Sequence, residues 1–338
     1  MKLLTLNFQL STLHLLKGGI FIFKARTDLA LETREEIAEK GNKNDGVLFK
    51  EETEDGFLCS EIEITTGKAE KLTGRNMGRY ITIEFGKIWL KEYDEFTRAV
   101  ELVSRKIRLL SDFDERDANS SKISILIAAL GNNYITADSI GPKALSKVLI
   151  TRHLKQQMPG LYDNFGLIEM SGIAPGVLGQ TGMETADIIL SVTEKIKPSL
   201  VIIIDALASR KISRLATTIQ LSNTGIAPGS GVGNHRRAIN SELLGAKVVS
   251  IGVPTVVDAA TLSYDVLQEA YKHAGVEPDE RMSHDILKTA LEEYGGNFFV
   301  TPKESDIIIN EVSKVIGYAI NRSFYSDISF EEMSRIVN

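Results

Sequence analysis

Through the second half of the chain, short wholly apolar runs alternate with stretches in which apolar positions recur every three or four residues. Leu200 to Ile204 is apolar throughout and four of its five residues are β-branched, as in a strand buried on both faces of a parallel sheet. Ile123 to Leu130, a shorter run at 166–170 and Lys247 to Val253 read as further strands. Between the first two, Pro142 suits an opening helical turn, and Ala144, Leu145, Val148 and Leu149 give that helix one apolar face. Residues 184–195 and 303–321 predict two more helices. Nearer the start, Phe96, Val100, Val103, Ile107 and Leu110 mark an amphipathic helix. Gly46 to Glu51 and Phe57 to Ile64, joined through a turn containing Gly56, predict a β-hairpin, and Tyr80 to Phe85 predicts another strand. Strand–helix alternation implies a sheet covered on both faces. The expected fold is therefore α/β, a three-layer αβα arrangement with a mostly parallel central sheet and an N-terminal β-rich elaboration at about residues 45–86. No repeat or Pro/Ser-rich linker divides it, so residues 29–338 are expected to form one domain.

Composition narrows the function classes. Hydrophobic residues make up 43% and charged residues 25% of 338, enough for a full core and incompatible with disorder over the whole chain. A net charge of −6 argues against a polyelectrolyte binder of DNA or RNA. Cys59 is the single cysteine, which excludes an internal disulfide framework and a multi-cysteine zinc site and fits a reducing cytoplasm. The first 27 residues stand apart, with Lys2, Lys17, Lys24 and Arg26 but no acid. Their apolar run is broken by His14, Lys17 and the Gly18-Gly19 pair and falls far short of a membrane span. Residues 1–28 are read as an extension ahead of the folded body, with a signal or anchor as the alternative.

Three predicted strands lead into loops that carry aspartate. Ile123 to Leu130 is followed by Gly131, Asn132 and, further on, Asp138; Ile204 by Asp205; and Val253 by Asp258. A carboxylate after an apolar strand is either the cap of the next helix or a group with a task, because burying its charge alone is costly. Ligands of open α/β sheets sit at the carboxyl ends of the strands. If the strands are parallel neighbours, Asp138 and Asp205 converge there. Paired carboxylates repel, so one holds a proton while the other is charged, the division that water-mediated amide hydrolysis needs. Asp258 reads as a third participant or as a cap. Gly176, Gly179 and Gly182 lie between a strand and a helix, and Gly231 and Gly233 lie in a second glycine-rich loop. These segments, with Gly131 and Asn132, either bind substrate or shape a cleft, the glycine loops offering backbone amides to an anion, or are tight loops with no ligand. Neither loop matches a dinucleotide fingerprint, and metalloprotease, serine-hydrolase, P-loop and pepsin-type signatures are absent. A metal-dependent peptidase and a non-enzymatic nucleotide- or anion-binding module remain as alternatives.

With these residues in place, the sequence resembles the germination proteases of spore-forming bacteria. The resemblance rests on blocks at 26–32, 130–145, 149–154, 174–185, 202–210, 225–236, 252–259 and 300–304. It implies an endopeptidase that starts the degradation of small acid-soluble spore proteins during germination, located in the cytoplasm of the spore core. It further implies an atypical aspartic protease whose two aspartates fall on Asp138 and Asp205, with a fold similar to hydrogenase-maturation proteases. Such enzymes are homotetramers made as zymogens; the implied processing bond here joins Asp28 to Leu29. Hydrogenase-maturation enzymes add a histidine to their carboxylates to hold nickel. Here the third strand ends in Pro254 to Asp258 without one, and carboxylates alone suit a borderline metal poorly. No metal, no cofactor, no direct nucleic-acid contact and no membrane are expected.

Overall fold

The computed structural model describes residues 26–39, 45–113, 123–227, 237–276, 283, 298–325, 331–332 and 335. Helix α1 (Ala30–Glu39) is followed by the predicted hairpin, β1 (Val47–Glu54) and β2 (Phe57–Ile64). Asp55 and Gly56 join the strands with φ of 51° and 87°, the double positive φ of a two-residue turn that matches strand twist. Next come α2 (Gly67–Thr73), β3 (Gly78–Glu84) and the amphipathic α3 (Tyr93–Ser111). Then β4 (Ser124–Ala129) leads through a 3₁₀ turn (Thr136–Asp138) into α4 (Ile140–Leu145). Two short helices, α5 (Arg152–Gln157) and α6 (Pro159–Asn164), precede β5 (Glu169–Ile173). After α7 (Leu178–Thr181) and α8 (Thr185–Ile196) the chain enters β6 (Leu200–Ser209) and β7 (Thr218–Ser222). The last described elements are α9 (Ser241–Leu244), β8 (Lys247–Asp258), α10 (Ala259–Ala274), β9 (Phe299–Val300) and α11 (Ser305–Phe324).

One sheet collects all of these strands in the order β1-β2-β3-β7-β8-β6-β4-β5, with β9 on β8. It is mixed. Only β5, β4, β6 and β8 run parallel; β7, β3, β2 and β1 continue it antiparallel. The mostly parallel sheet expected from the sequence therefore holds for the four strands around Asp205 and not for the whole. The β-rich segment at 45–86 likewise supplies one wing of this sheet, because β3 pairs with β7, a strand the hydrophobic pattern did not reveal.

Alternating residues of the parallel strands divide between two cores. Ile125, Ile127, Ile202 and Ile204 pack with Val100 and Val103 of α3 and Val312 and Val315 of α11. On the opposite face, Leu126, Ala128, Val201 and Ile203 pack with Ala186 and Ile189 of α8 and Leu244 of α9. Burying each such aliphatic side chain stabilises the fold by about 1.5–3 kcal/mol before conformational entropy is counted. Asp205 continues the second series, so its side chain rises on the face covered by α8 and α9. Among the described residues, no helix is long and apolar enough to cross a membrane.

Candidate active site

Asp205 does not end its strand, as its place in the sequence suggests. β6 runs on to Ser209 because β8 accompanies it, pairing Asp205 with Gly252 and Ser209 with Val257 across a bulge at Leu207 and Ala208. The strand that stops is β4. Its last paired residue, Ala129, lies beside Ile204, and Leu130 N–H donates to Ile204 O at 2.8 Å. Beyond that bond the β4 side of Asp205 is open to the loop that follows. Asp205 is only 6% exposed, and its Oδ1 accepts the main-chain N–H of Ala206 at 2.9 Å.

The loop then turns back on itself. Gly131 takes φ of +112°, and the chain returns so closely that a Cβ there would lie 2.0 Å from the main-chain oxygen of Asp138. Asp138, half-buried at the end of the 3₁₀ turn, accepts the main-chain N–H of Asn132 on Oδ2 at 2.9 Å. This turn packs against β6 and β8, and α4 continues from it across the strand ends. A Cβ on Gly141 would meet Leu130 O at 2.3 Å and Ile204 O at 2.9 Å, so the helix lies directly on the backbone beside Asp205. Asp138 thus sits in the loop that follows β4, tied to that loop's own backbone, while Asp205 lies within the neighbouring parallel strand β6.

Two contacts fix the loop from outside, and the sequence reading assigned no role to either outer residue. Gln180 Nε2 donates to Asn132 Oδ1 at 2.7 Å, and Thr136 Oγ1 donates to Asp306 Oδ1 of α11 at 2.7 Å. Gln180 sits inside the block 174–185, where its spacing from Asn132 carries no signal. Gly176 lies against the Gln180 side chain, Gly179 is within α7 and Gly182 closes that helix. Through Gln180 this segment reaches Asn132. Tyr134, Ile135, Leu178 and Met183 present exposed apolar side chains around it. Gly231 and Gly233 lie outside the described residues.

Asp258 is elsewhere. It ends β8 beyond the Gly252 row, about 20 Å of strand from Asp205 at ~3.3 Å per residue. Its Oδ2 accepts Thr261 N–H at 2.9 Å and Thr261 Oγ1–H at 3.0 Å, capping α10, while Oδ1 meets Arg26 Nη1 at 3.1 Å. The segment from Arg26 to Leu29 is held against the sheet, with Asp28 and Leu29 buried. Ala208 N–H donates to Asp28 Oδ2 at 2.9 Å, and Asp28 N–H donates to Ala208 O at 2.8 Å. Across the bond from Asp28 to Leu29, Gln220 Nε2 donates to Asp28 O at 3.2 Å and Leu29 N–H donates to Thr27 Oγ1 at 3.0 Å. Leu29 is fully buried. Gln220 pairs with Gly252, as Asp205 does, so both side chains rise from the same face of the sheet. A cavity of about 180 Å³ with a mixed polar and apolar lining opens beside Gln220, bounded by Asp28, Arg75, Tyr80, Leu207 and Ile226 rather than by Asp138 or Asp205. Burial raises the Tyr80 phenol above its ordinary value. Among the described residues, no three His, Cys, Asp or Glu side chains gather into a metal-ligand set.

Comparison with known proteins adds the family. A germination protease family model matches residues 24–286. The chain is 41% identical over 333 residues to the germination protease of Clostridium perfringens (strain ATCC 13124), covering 94% of this chain and all of that one. It is 38% identical over 332 residues to that of Caldanaerobacter subterraneus subsp. tengcongensis, with 94% of this chain and 100% of the relative covered. Among solved structures, a NiFe hydrogenase maturation protease from Thermococcus kodakarensis KOD1 aligns at 15% identity with a TM-score of 0.30, covering 62% of this chain and 96% of that one.

Proposed function

The chain belongs to the germination protease family, and from that premise we propose that it is an endopeptidase that hydrolyses peptide bonds with a water molecule held between Asp138 and Asp205. The observation that carries this reading is the ending of β4 beside Ile204, which brings the Asp138 turn against the strand of Asp205. Each carboxylate accepts a backbone N–H at 2.9 Å, so the difference between them is depth: Asp205 is buried and Asp138 half-buried, and the deeper burial of Asp205 favours its holding the shared proton. Asp138 is then the general base and Asp205 the general acid. Asp138 removes one proton from water as the oxygen bonds to the scissile carbonyl carbon. The Asp205 proton passes to the leaving nitrogen as the C–N bond breaks, and the proton gained by Asp138 restores the pair. Each role is worth roughly 10²–10⁴-fold in rate.

The substrates under this reading are the small acid-soluble spore proteins, met in the cytoplasm of the spore core, and the working form is a homotetramer. The loop at 171–182 shapes the cleft. The αβα fold is of the hydrogenase-maturation type. The enzyme is made as a zymogen that cuts between Asp28 and Leu29. Both sides of that bond are hydrogen-bonded and buried, which supports a step in which the segment 26–29 leaves its seat before it is cut. Protonation of one carboxylate of the pair makes mild acid the trigger. Incubating the full-length chain at mildly acidic pH and sequencing the new N-terminus tests this. A start at Leu29 is expected; an intact Met1 under conditions where spore protein is cleaved contradicts the zymogen reading.

A further inference from the structure

Hydrolysis of an amide develops negative charge on the carbonyl oxygen, and a pair of carboxylates has nothing to offer that charge except a proton. The structure contains a donor suited to it. Asn132 binds Asp138 through its main-chain N–H at 2.9 Å, so the rest of the residue lies beside the base. Its side-chain oxygen accepts two hydrogen bonds, from Tyr134 N–H at 3.0 Å and from Gln180 Nε2 at 2.7 Å. With Oδ1 committed to two donors, the orientation of the amide is determined and its NH₂ corner faces away from them. That Nδ2 has no hydrogen-bond partner among the described residues. Covalent geometry keeps it within roughly 5 Å of the main-chain nitrogen that touches Asp138.

We propose that Asn132 is a catalytic residue, its Nδ2 donating a hydrogen bond to the carbonyl oxygen of the scissile peptide as that oxygen becomes an oxyanion, and that Gln180 is the positioning residue that aims it. The inference rests on the Asp138–Asp205 reading and extends it. A donor fixed before the reaction costs no reorganisation when charge appears, and removing one such donor costs about 10²–10³ in kcat. The plainer role of Asn132 is an Asx turn that shapes the loop. The two roles use opposite corners of the amide: the turn needs only the oxygen, which an aspartate also supplies, while the oxyanion needs the NH₂ group.

Full-length chains carrying Asn132→Ala, Asn132→Asp, Gln180→Ala, Asp138→Ala or Asp205→Ala are matured with a trace of affinity-tagged wild-type enzyme, which is then removed. Each is assayed on a purified small acid-soluble spore protein, with circular dichroism to confirm folding. Asn132→Ala and Asn132→Asp are expected to lose about 10²–10³ in kcat at neutral pH with KM within about threefold of wild type. Asn132→Asp is expected to recover relative to wild type as the pH falls and its new carboxyl gains a proton to donate. Gln180→Ala is expected to lose roughly tenfold in kcat, the cost of a misaimed group. Wild-type kcat in folded Asn132→Asp at neutral pH, with the two aspartate variants dead, overturns the inference and leaves the pair standing. Full activity in folded Asp138→Ala or Asp205→Ala overturns the pair itself.

Discussion

A Cβ placed on Gly131 would lie 2.0 Å from the main-chain oxygen of Asp138 and 3.2 Å from its Oδ1, at a residue whose φ is +112°. No L side chain fits there without moving the turn that presents Asp138. Gly131→Ala is expected to lose about 1–3 kcal/mol of stability through backbone strain alone. The displaced carboxylate should lower spore-protein cleavage by about 10²-fold. Thermal unfolding alongside a cleavage assay checks both, and an unchanged melting point with wild-type activity contradicts this account of the turn.

Asp258 provides a control aspartate. Its carboxylate caps α10 and pairs with Arg26, far along β8 from Asp205. Asp258→Ala is expected to cost roughly 0.5–2 kcal/mol, as loss of a helix cap does, while the activated enzyme keeps its kcat. Urea unfolding measures the first and the cleavage assay the second. Unchanged stability with kcat abolished would move Asp258 into the chemistry.

Arg214 holds the N-terminal helix to the sheet. It is buried and pairs with Glu32 at 3.2 Å, Glu35 at 2.7 Å and Glu84 at 3.4 Å. Arg214→Met leaves these carboxylates without their common partner and is expected to cost about 3–5 kcal/mol in urea unfolding. Burial alone would push the Glu35 carboxyl up, but hydrogen bonds from Arg214 and Lys211 hold it below its ordinary value. That contribution is present at neutral pH and is lost as the pH falls below roughly 4.5, towards the lowered folded value. The variant should therefore lose less stability than the wild type on acidification, and parallel curves contradict the assignment.

Cys59 lies in the buried face of β2, where burial, reinforced by the charge of Glu54, raises its thiol to about 11. The native thiol is expected to resist a disulfide reagent at pH 8 and to react once the chain is unfolded. Because the folded state holds the proton more tightly, stability falls as the pH rises from roughly 8.5 towards about 11. Rapid labelling of the native enzyme contradicts this.

The sequence showed the strands and helices that bury continuous apolar faces, such as β4, α3 and α11, and the Asp-Gly hairpin. It did not show β7, whose Thr218, Gln220 and Ser222 are polar residues buried by pairing between β3 and β8. Missing β7 hid the junction that makes the sheet mixed. Asp205 was legible as an acid at the end of an apolar run, yet its strand continues, and the strand that ends beside it is β4. Gln180 and Asp306 were not legible because they reach the Asp138 loop from distant positions through single side-chain contacts. Hydrophobic periodicity carries no trace of such contacts.

The central claim is that Asp138 and Asp205 act together on the peptide bond. Its most direct test is the rate of cleavage of a purified small acid-soluble spore protein by Asp138→Ala and Asp205→Ala, each matured in trans and shown to be folded by circular dichroism. Both variants are expected to lose cleavage by at least about 10²-fold, the lower bound for a general acid or base. Wild-type cleavage by either folded variant would contradict the account.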